Sequence, residues 1–155
     1  MGDALPPFQR FLDEHRDPVY RFLLAFAGPS EAEDCFQETF LAALRAYPRL
    51  RDASNLRGWV LTIARRKALD AARRRRRADP VAEVPDAVDQ APEADDGQVW
   101  GLVSGLPPRQ REAITLRYAA DLAYREIAAL MACSEPAARQ SVRLGLARLR
   151  KEWRG

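Results

Sequence analysis

The sequence predicts an all-α protein: a three- to four-helix N-terminal domain and a helix-turn-helix C-terminal domain, joined by a flexible acidic linker. Apolar residues recur at helical spacing along most of the 155-residue chain, and no segment shows the apolar–polar alternation that is typical of a strand. Hydrophobic residues make up 47% and charged residues 30%, as in soluble helical proteins. A third observation, the segregation of charge, divides the helices into two groups.

Charge is distributed in three blocks. Residues 1–78 contain 15 Lys/Arg and 10 Asp/Glu, residues 79–98 contain seven acids and no Lys/Arg, and residues 99–155 contain 10 Lys/Arg and five acids. The middle block has three prolines and almost no large apolar side chains, so it cannot bury enough surface to order itself. We therefore predict domains at 1–78 and 99–155, each suited to a polyanion, and a flexible linker at 79–98.

The first two helices are bounded by clear signals. Apolar residues at helical spacing predict a first helix over about 7–27, which Gly28-Pro29 ends. A capping-box pattern at Ser30–Glu33 predicts the start of a second helix, which runs to about Tyr47 and stops before a proline.

The second helix has two faces. One is predicted to be core and contains Phe36, Phe40, Ala43, Leu44 and Tyr47. The other has an acid–amide–acid cluster around an apolar side chain and contains Asp34, Gln37, Glu38, Leu41 and Arg45. The composition of this second face fits either a solvated surface or a docking surface.

A third helix begins after a cap at Ser54 or Asn55 and runs into five consecutive arginines, Arg73 to Arg77. Its predicted core residues are Leu56, Trp59, Val60 and Ile63. Arginines on the opposite side have the spacing to follow a phosphate backbone or to grip unpaired bases. Trp59 has the chemistry to stack on a base, but its place on the apolar stripe favours the core. The arginine run alone fits a solvated helix end, a localisation signal or a surface for an anion.

The C-terminal block reads as a helix-turn-helix. Helices are predicted over 99–105 and from Pro108 to about Tyr118, followed by a short helix (124–131), a tight turn (132–134) and a longer basic helix (135–153). The last helix has a predicted core stripe of Ala138, Val142, Leu146 and Leu149. The arginines and glutamine that project elsewhere fit either base reading in a major groove or a solvated basic helix.

No pattern of a catalytic site is present. The chain lacks a Gly-rich phosphate loop, a nucleophile elbow and an HExxH motif. Its one histidine, His15, sits among charged residues on what the sequence predicts to be an exposed helix face. Cys35 and Cys133 lie in no metal-binding pattern and are expected to be reduced core residues, with a redox role as the alternative. We expect no enzymatic activity, cofactor, metal site or membrane insertion.

Three stretches together resemble the extracytoplasmic-function (ECF) sigma factors of bacterial RNA polymerase. They are AEDCFQETFLAALRAYPRL, NLRGWVLTIARRKALDAARRRRR and LPPRQREAITLRYAADLAYREIAALMACSEPAARQSVRLGLARLR. They occur in the family's order on either side of a linker, and the resemblance extends over nearly the whole chain.

The resemblance implies that the first domain binds the β′ clamp helices of core polymerase and melts and reads the minus-ten promoter element. The second would bind the β flap and read the minus-thirty-five element. The implied polymerase-binding residues are Asp34, Gln37, Glu38 and Phe40. The implied minus-ten contacts are the loop 49–55, including Asn55, together with Arg65, Arg66, Asp70, Arg73 and Arg74. The implied minus-thirty-five contacts are Arg125, Ser134, Ala137, Arg139, Gln140 and Arg143. The linker would thread the basic channel of the polymerase as a mimic of nucleic acid.

The sequence departs from the family pattern at several positions. Arg66 stands where Asn is usual. Ala123 stands where Ser or Thr usually caps a helix, and Ala132 where the turn usually has Gly, each at a cost of about 1 kcal/mol. The recognition helix opens SEPAARQS in place of the usual Ser-x-Gly-Thr-Val-Lys-Ser-Arg, so the usual Thr and second basic residue are missing.

Two other functions remain open on the sequence. A stand-alone helix-turn-helix regulator would bind duplex DNA without polymerase, and a sigma-like interaction protein would only sequester a partner. The hypothesis of a sigma factor is favoured because a stand-alone regulator has no use for the acidic face of the second helix or for the acidic linker. It further implies a cytoplasmic protein that is a monomer when free and that an anti-sigma factor binds.

Overall fold

A computed structural model describes residues 4–78 and 95–154, and it confirms the all-α class. Every regular element in these two ranges is helical. The elements are α1 (Phe8–Ala27), α2 (Pro29–Ala46), a 3₁₀ turn (Tyr47–Arg49), α3 (Leu56–Ala78), α4 (Asp95–Ser104), α5 (Pro108–Ile114), a π-helical turn (Thr115–Ala119), α6 (Tyr124–Met131) and α7 (Glu135–Arg154).

Most of the predicted linker, residues 79–94, lies outside the described residues. Its last four residues do not fit the prediction, because α4 begins at Asp95 and not at Val99. The helix predicted up to Tyr118 also differs: α5 ends at Ile114 and continues as a π-helical turn.

The helices α1, α2 and α3 pack against one another around an aromatic core. The Phe11 ring lies at its centre, with ring-centroid distances of 5.2 Å to Tyr47 and 5.7 Å to Trp59. Trp59 is partly buried against this core, as its place on the apolar stripe predicted. The tyrosine hydroxyl donates a hydrogen bond to the carbonyl of Pro6, which ties the segment before α1 to the end of α2.

The helix boundaries have local causes. Gly28 adopts a φ of 90°, a conformation that favours glycine, and it both ends α1 and precedes α2. The predicted capping box at Ser30 is wrong, because α2 already begins at Pro29, whose fixed φ suits a first helical position. Of the two caps predicted for α3, Ser54 and Asn55, the structure has Asn55, whose Oδ1 accepts a hydrogen bond from the Gly58 N–H at 3.0 Å.

Two predicted exposures in this domain are wrong. Leu44, expected in the core, has 49% of its surface exposed, because neither α1 nor α3 covers that side of α2. His15, expected on an exposed face, is only 8% exposed and lies against the Phe11 ring at a centroid distance of 5.1 Å. Its Nδ1 has no hydrogen-bond partner among the described residues.

Buried His15 predicts a pH-dependent stability. Burial, and then the nearby positive charge of Arg57, lower the pKa of His15 below its ordinary 6.5. The unfolded chain therefore binds a proton more readily than the folded one, and the free energy of unfolding should fall as the pH drops through and below 6.5. Urea titrations from pH 7.5 to 5 should show this fall in the parent and a weaker one in His15→Leu. Parallel curves for the two proteins would contradict the prediction.

The helix-turn-helix is present as predicted, with α6, a three-residue turn and α7. Ala132 in the turn has φ 53° and ψ 48°, the left-handed region that disfavours a side chain. Ser134 accepts a hydrogen bond from the Ala137 N–H at 3.2 Å and so caps α7. At the start of α6, the Ala123 N–H donates to Glu126 Oε2 at 3.1 Å, but the methyl side chain of Ala123 cannot return the second bond of a capping box.

Ala132→Gly is expected to raise the free energy of unfolding by about 1 kcal/mol, because glycine removes the strain of the left-handed conformation. Ala129→Gly, the same change at an exposed position inside α6, should lower it by about the same amount. Thermal and urea unfolding of the two variants would measure this opposite pair of shifts. A loss of stability in both variants would contradict it.

The two helical domains pack against each other. Helix α1 contacts α4, α5 and the π-helical turn, and α3 contacts α6. The guanidinium carbon of Arg111 lies 6.0 Å from the ring centroid of Phe26. The Nε of Arg65 on α3 donates a hydrogen bond to Oε1 of Glu112 on α5. This last pair joins the domains through charged groups that are largely removed from water.

Candidate nucleic-acid interface

One side of α3 is basic. Arg66, Arg73 and Arg74 are exposed there, while Asp70 lies 3.6 Å from Arg73 in an ion pair along the helix. Arg65, also predicted on this side, is half-buried and bonded to Glu112 of the other domain. The surface therefore carries exposed guanidinium groups at helical spacing, and one predicted member is engaged elsewhere.

The arginine run at the end of α3 is divided between two environments. Arg74 Nη2 lies 3.7 Å from Glu38 Oε2, and Arg75 Nε lies 3.7 Å from Glu31 Oε1. These two arginines face the acidic side of α2, and neither pair was expected from the sequence. The other arginines at this helix end, Arg76 and Arg77, are exposed.

The acidic face of α2 is largely open. Asp34 and Gln37 are exposed, Glu38 is half-buried, and Leu41 is 53% exposed between them. Phe40, predicted as a polymerase contact, is instead 7% exposed and packs on Phe36 at a ring-centroid distance of 4.8 Å. Its side chain belongs to the core, so it offers no surface to a partner in this structure.

The loop before α3 supplies the remaining predicted contact of this domain, Asn55. Its side chain is used as the helix cap. In the same loop, Asp52 accepts hydrogen bonds from Ser54, which lower the pKa of the Asp52 carboxyl. These local bonds hold the loop backbone in place next to the basic side of α3.

The helix-turn-helix presents a second basic surface. All six minus-thirty-five contacts that the resemblance implied are exposed: Arg125, Ser134, Ala137, Arg139, Gln140 and Arg143. Arg139 Nη2 donates to Glu135 Oε1 at 2.8 Å, and its guanidinium carbon lies 5.0 Å from the Tyr124 ring centroid. The core stripe of α7 is as predicted for Ala138 and Val142, which are buried.

Sequence reasoning missed three residues at these surfaces: Glu112, Arg117 and Tyr124. Glu112 is an acid next to two apolar residues, Ala113 and Ile114, which are buried. A charged residue at such a position needs a partner, and this could have indicated an ion pair. Nothing local marks Arg117 and Tyr124, because their stacking depends on how α6 sits beside the π-helical turn.

The described part of the chain contains no group of three or more His, Cys, Asp or Glu side chains that could hold a metal ion. Both cysteines there are free, Cys133 is half-buried, and burial raises the pKa of the buried Cys35 thiol. None of the described helices has the length and apolar character needed to cross a membrane.

Comparison with known proteins identifies both basic surfaces as parts of known modules. Residues 11–78 match the family model for sigma-70 region 2. Residues 96–149 match the model for sigma-70 region 4.

Two curated relatives match most of the chain. The RNA polymerase sigma factor CarQ of Myxococcus xanthus is 31% identical over 96% of this chain and 90% of its own length. The ECF RNA polymerase sigma factor SigM of Bacillus subtilis is 32% identical over 78% of this chain and 79% of its own length.

Solved structures agree with the fold. The sigma factor RpoE of Bartonella quintana, in complex with the anti-sigma factor NepR, superposes with a TM-score of 0.82 at 26% identity, covering 93% of this chain and 94% of that one. CnrH, in complex with the cytosolic domain of CnrY, superposes with a TM-score of 0.71 at 21% identity, covering 94% and 86%. The chain belongs to the ECF sigma factors, the family whose members direct RNA polymerase to specific promoters.

Proposed function

We propose that the two helical domains divide promoter recognition, with α3 at the minus-ten element and α7 at the minus-thirty-five element, while α2 binds core polymerase. The observation that carries the proposal is the separation of charge. Two exposed basic surfaces lie on α3 and on the helix-turn-helix, and an open acidic face lies on α2.

At the minus-ten element, Arg66, Arg73 and Arg74 would contact the phosphates of the opened strands, and the loop 49–55 would border the pocket for a flipped base. Opening the duplex costs a few kcal/mol of unstacking per base, which capture of the unpaired bases would offset. Arg65 would join this surface only after leaving Glu112. Asn55 would act mainly through the loop conformation, because its side chain caps α3.

At the minus-thirty-five element, α7 would enter the major groove with its N-terminal residues toward the base edges. Arg139, Gln140 and Arg143 are the side chains with the donors to read guanine or adenine there. Arg125 on α6 would contact the backbone, and Ser134 would keep its role as the cap of α7.

The acidic face of α2, Asp34, Gln37, Glu38 and Leu41, would bind the β′ clamp helices, and the second domain would bind the β flap. The acidic residues 79–94 would pass through the basic channel of the polymerase, since a chain with the charge sign of nucleic acid suits that path.

We place the protein in the cytoplasm, as a monomer when free, without enzymatic activity of its own. An anti-sigma factor is a further proposed partner, supported by the likeness to RpoE, which was solved with one.

Run-off transcription on genomic fragments, with core polymerase in the presence and absence of the chain, tests the proposal. We expect discrete transcripts that require both, and weak binding of the chain alone to the same duplexes. Tight duplex binding without polymerase, and no transcript that depends on the chain, would indicate a stand-alone regulator. Binding to core polymerase without any transcript would indicate a sequestering protein.

A further inference from the structure

Tyr124 is the first residue of α6, and its ring has an unusual set of neighbours. The ring is half-buried and packs against the hydrophobic core, so its position is set by the fold of the domain. The guanidinium carbon of Arg117 lies 4.5 Å from the ring centroid, and that of Arg139 lies 5.0 Å from it. Two cations therefore share one fixed aromatic side chain.

The two arginines come from different elements and are held differently. Arg117 lies in the π-helical turn, and its Nη1 donates to the carbonyl of Leu122 at 2.9 Å, so this guanidinium is tied to the backbone. Arg139 lies in the second turn of α7, where its Nη2 donates to Glu135 Oε1 at 2.8 Å. The backbone bond leaves Arg117 little freedom to serve a partner.

The carboxylate alone does not hold Arg139 in one orientation. The side chains of Arg139 and Glu135 are 56% and 46% exposed, and an exposed pair one helical turn apart stabilises a given geometry only weakly. The Tyr124 ring adds a second restraint from a different helix. A guanidinium that stacks on a ring keeps the N–H groups at its edge available for two parallel hydrogen bonds.

We propose that Tyr124 is a positioning residue, which fixes the guanidinium of Arg139 for bidentate reading of a guanine in duplex DNA. This rests on the proposed function, in which the start of α7 enters the major groove. Guanine is the base that presents two acceptors, O6 and N7, to such a fork. Because the ring already holds the arginine side chain in place, less conformational entropy is lost when DNA binds. The ring therefore contributes to base preference without touching DNA.

The experiment is a double-mutant cycle read out as base preference. The full-length chain and core polymerase transcribe a promoter library that is randomised in the minus-thirty-five region, and the transcripts are sequenced. Arg139→Ala should lower the preference for guanine at one position by about tenfold. Tyr124→Leu should lower it at the same position by about two- to fivefold, and Tyr124→Phe, which keeps the ring, should leave it unchanged.

Placing Tyr124→Leu in two variant backgrounds tests whether its effect on base preference depends on Arg139. Tyr124→Leu should have no further effect in an Arg139→Ala background, whereas in an Arg143→Ala background it should keep its full effect. Arg143 is the matched control because it is exposed one turn further along the same helix. Equal effects of Tyr124→Leu in both backgrounds would mean that Tyr124 acts only through stability, and would overturn the proposal.

The failures of the two proposals are distinguishable. If Arg139→Ala changes no preference, Arg139 does not read bases, and the minus-thirty-five assignment of this residue fails together with the role of Tyr124. If Arg139→Ala changes the preference and a folded Tyr124→Leu does not, only the role of Tyr124 fails. Should Tyr124→Leu not fold, as judged by circular dichroism, Tyr124→Met serves in its place, since it retains most of the apolar volume without the ring.

Discussion

Replacing Arg65 by methionine is expected to lower the free energy of unfolding by about 3 kcal/mol. The Glu112 side chain is only 9% exposed and that of Arg65 28%, so the substitution leaves a carboxylate largely cut off from water without its counter-ion. Removing one partner of a buried ion pair costs about 3–5 kcal/mol, and the partial exposure of Arg65 places the expected loss at the lower end of that range. Urea unfolding followed by circular dichroism would measure it.

Two controls separate lost pairing from lost packing. Arg66→Met alters the exposed neighbour of Arg65 and should change the free energy of unfolding by less than about 0.5 kcal/mol. The double variant Arg65→Met with Glu112→Met replaces the pair by apolar side chains and should recover most of the stability. A double variant as unstable as Arg65→Met would show that the ion pair is not the cause.

Replacing Asp34 and Glu38 together by alanine is expected to reduce the affinity for core polymerase on the order of a thousandfold. Both acids belong to the open face of α2. Removing a carboxylate that is paired and desolvated in an interface costs about 2–5 kcal/mol of binding free energy. The change should leave the fold intact, because the side chains of Arg74 and Glu38 are 63% and 43% exposed, and an ion pair with this much exposure contributes little stability. Fluorescence titration of labelled chain with core polymerase gives the affinity, and thermal unfolding checks the fold.

Glu33→Ala is the matched control for this prediction. Glu33 is also an exposed acid of α2, but at 100° per residue it lies off the face that Asp34 and Glu38 share. It should bind polymerase like the parent. Parent-like affinity of the double variant would contradict the assignment of the acidic face, whereas an equal loss in Glu33→Ala would indicate a general effect of charge.

The helices of this protein could be predicted because their signals are local. Helix α6 and the start of α7 lie where the periodicity placed them, and Asn55 caps α3 as predicted. Burial could be predicted less well, since a helix face becomes core only where another element covers it. His15 and Leu44 are the examples: one faces the centre of the bundle and the other an uncovered side of α2.

The charged surfaces of the candidate site could be predicted from the sequence, but the ion pairs between them could not. Residue types and spacing indicate a basic α3 and an acidic α2, and they say nothing of the contact between Arg74 and Glu38. Arg65 and Glu112 are 47 positions apart, and their contact depends on how two domains meet across a linker. Long-range pairs of this kind have no periodic signature along the chain.

The ion pair between Arg74 and Glu38 has a consequence for cooperativity. One member lies on the proposed polymerase surface and the other on the proposed DNA surface, so a partner that takes up either charge releases the other. Thermodynamic reciprocity then requires that polymerase favour promoter contact by the same factor by which promoter contact favours polymerase. Because water reaches both side chains of the pair, that coupling is at most about 1 kcal/mol, or about fivefold in either affinity.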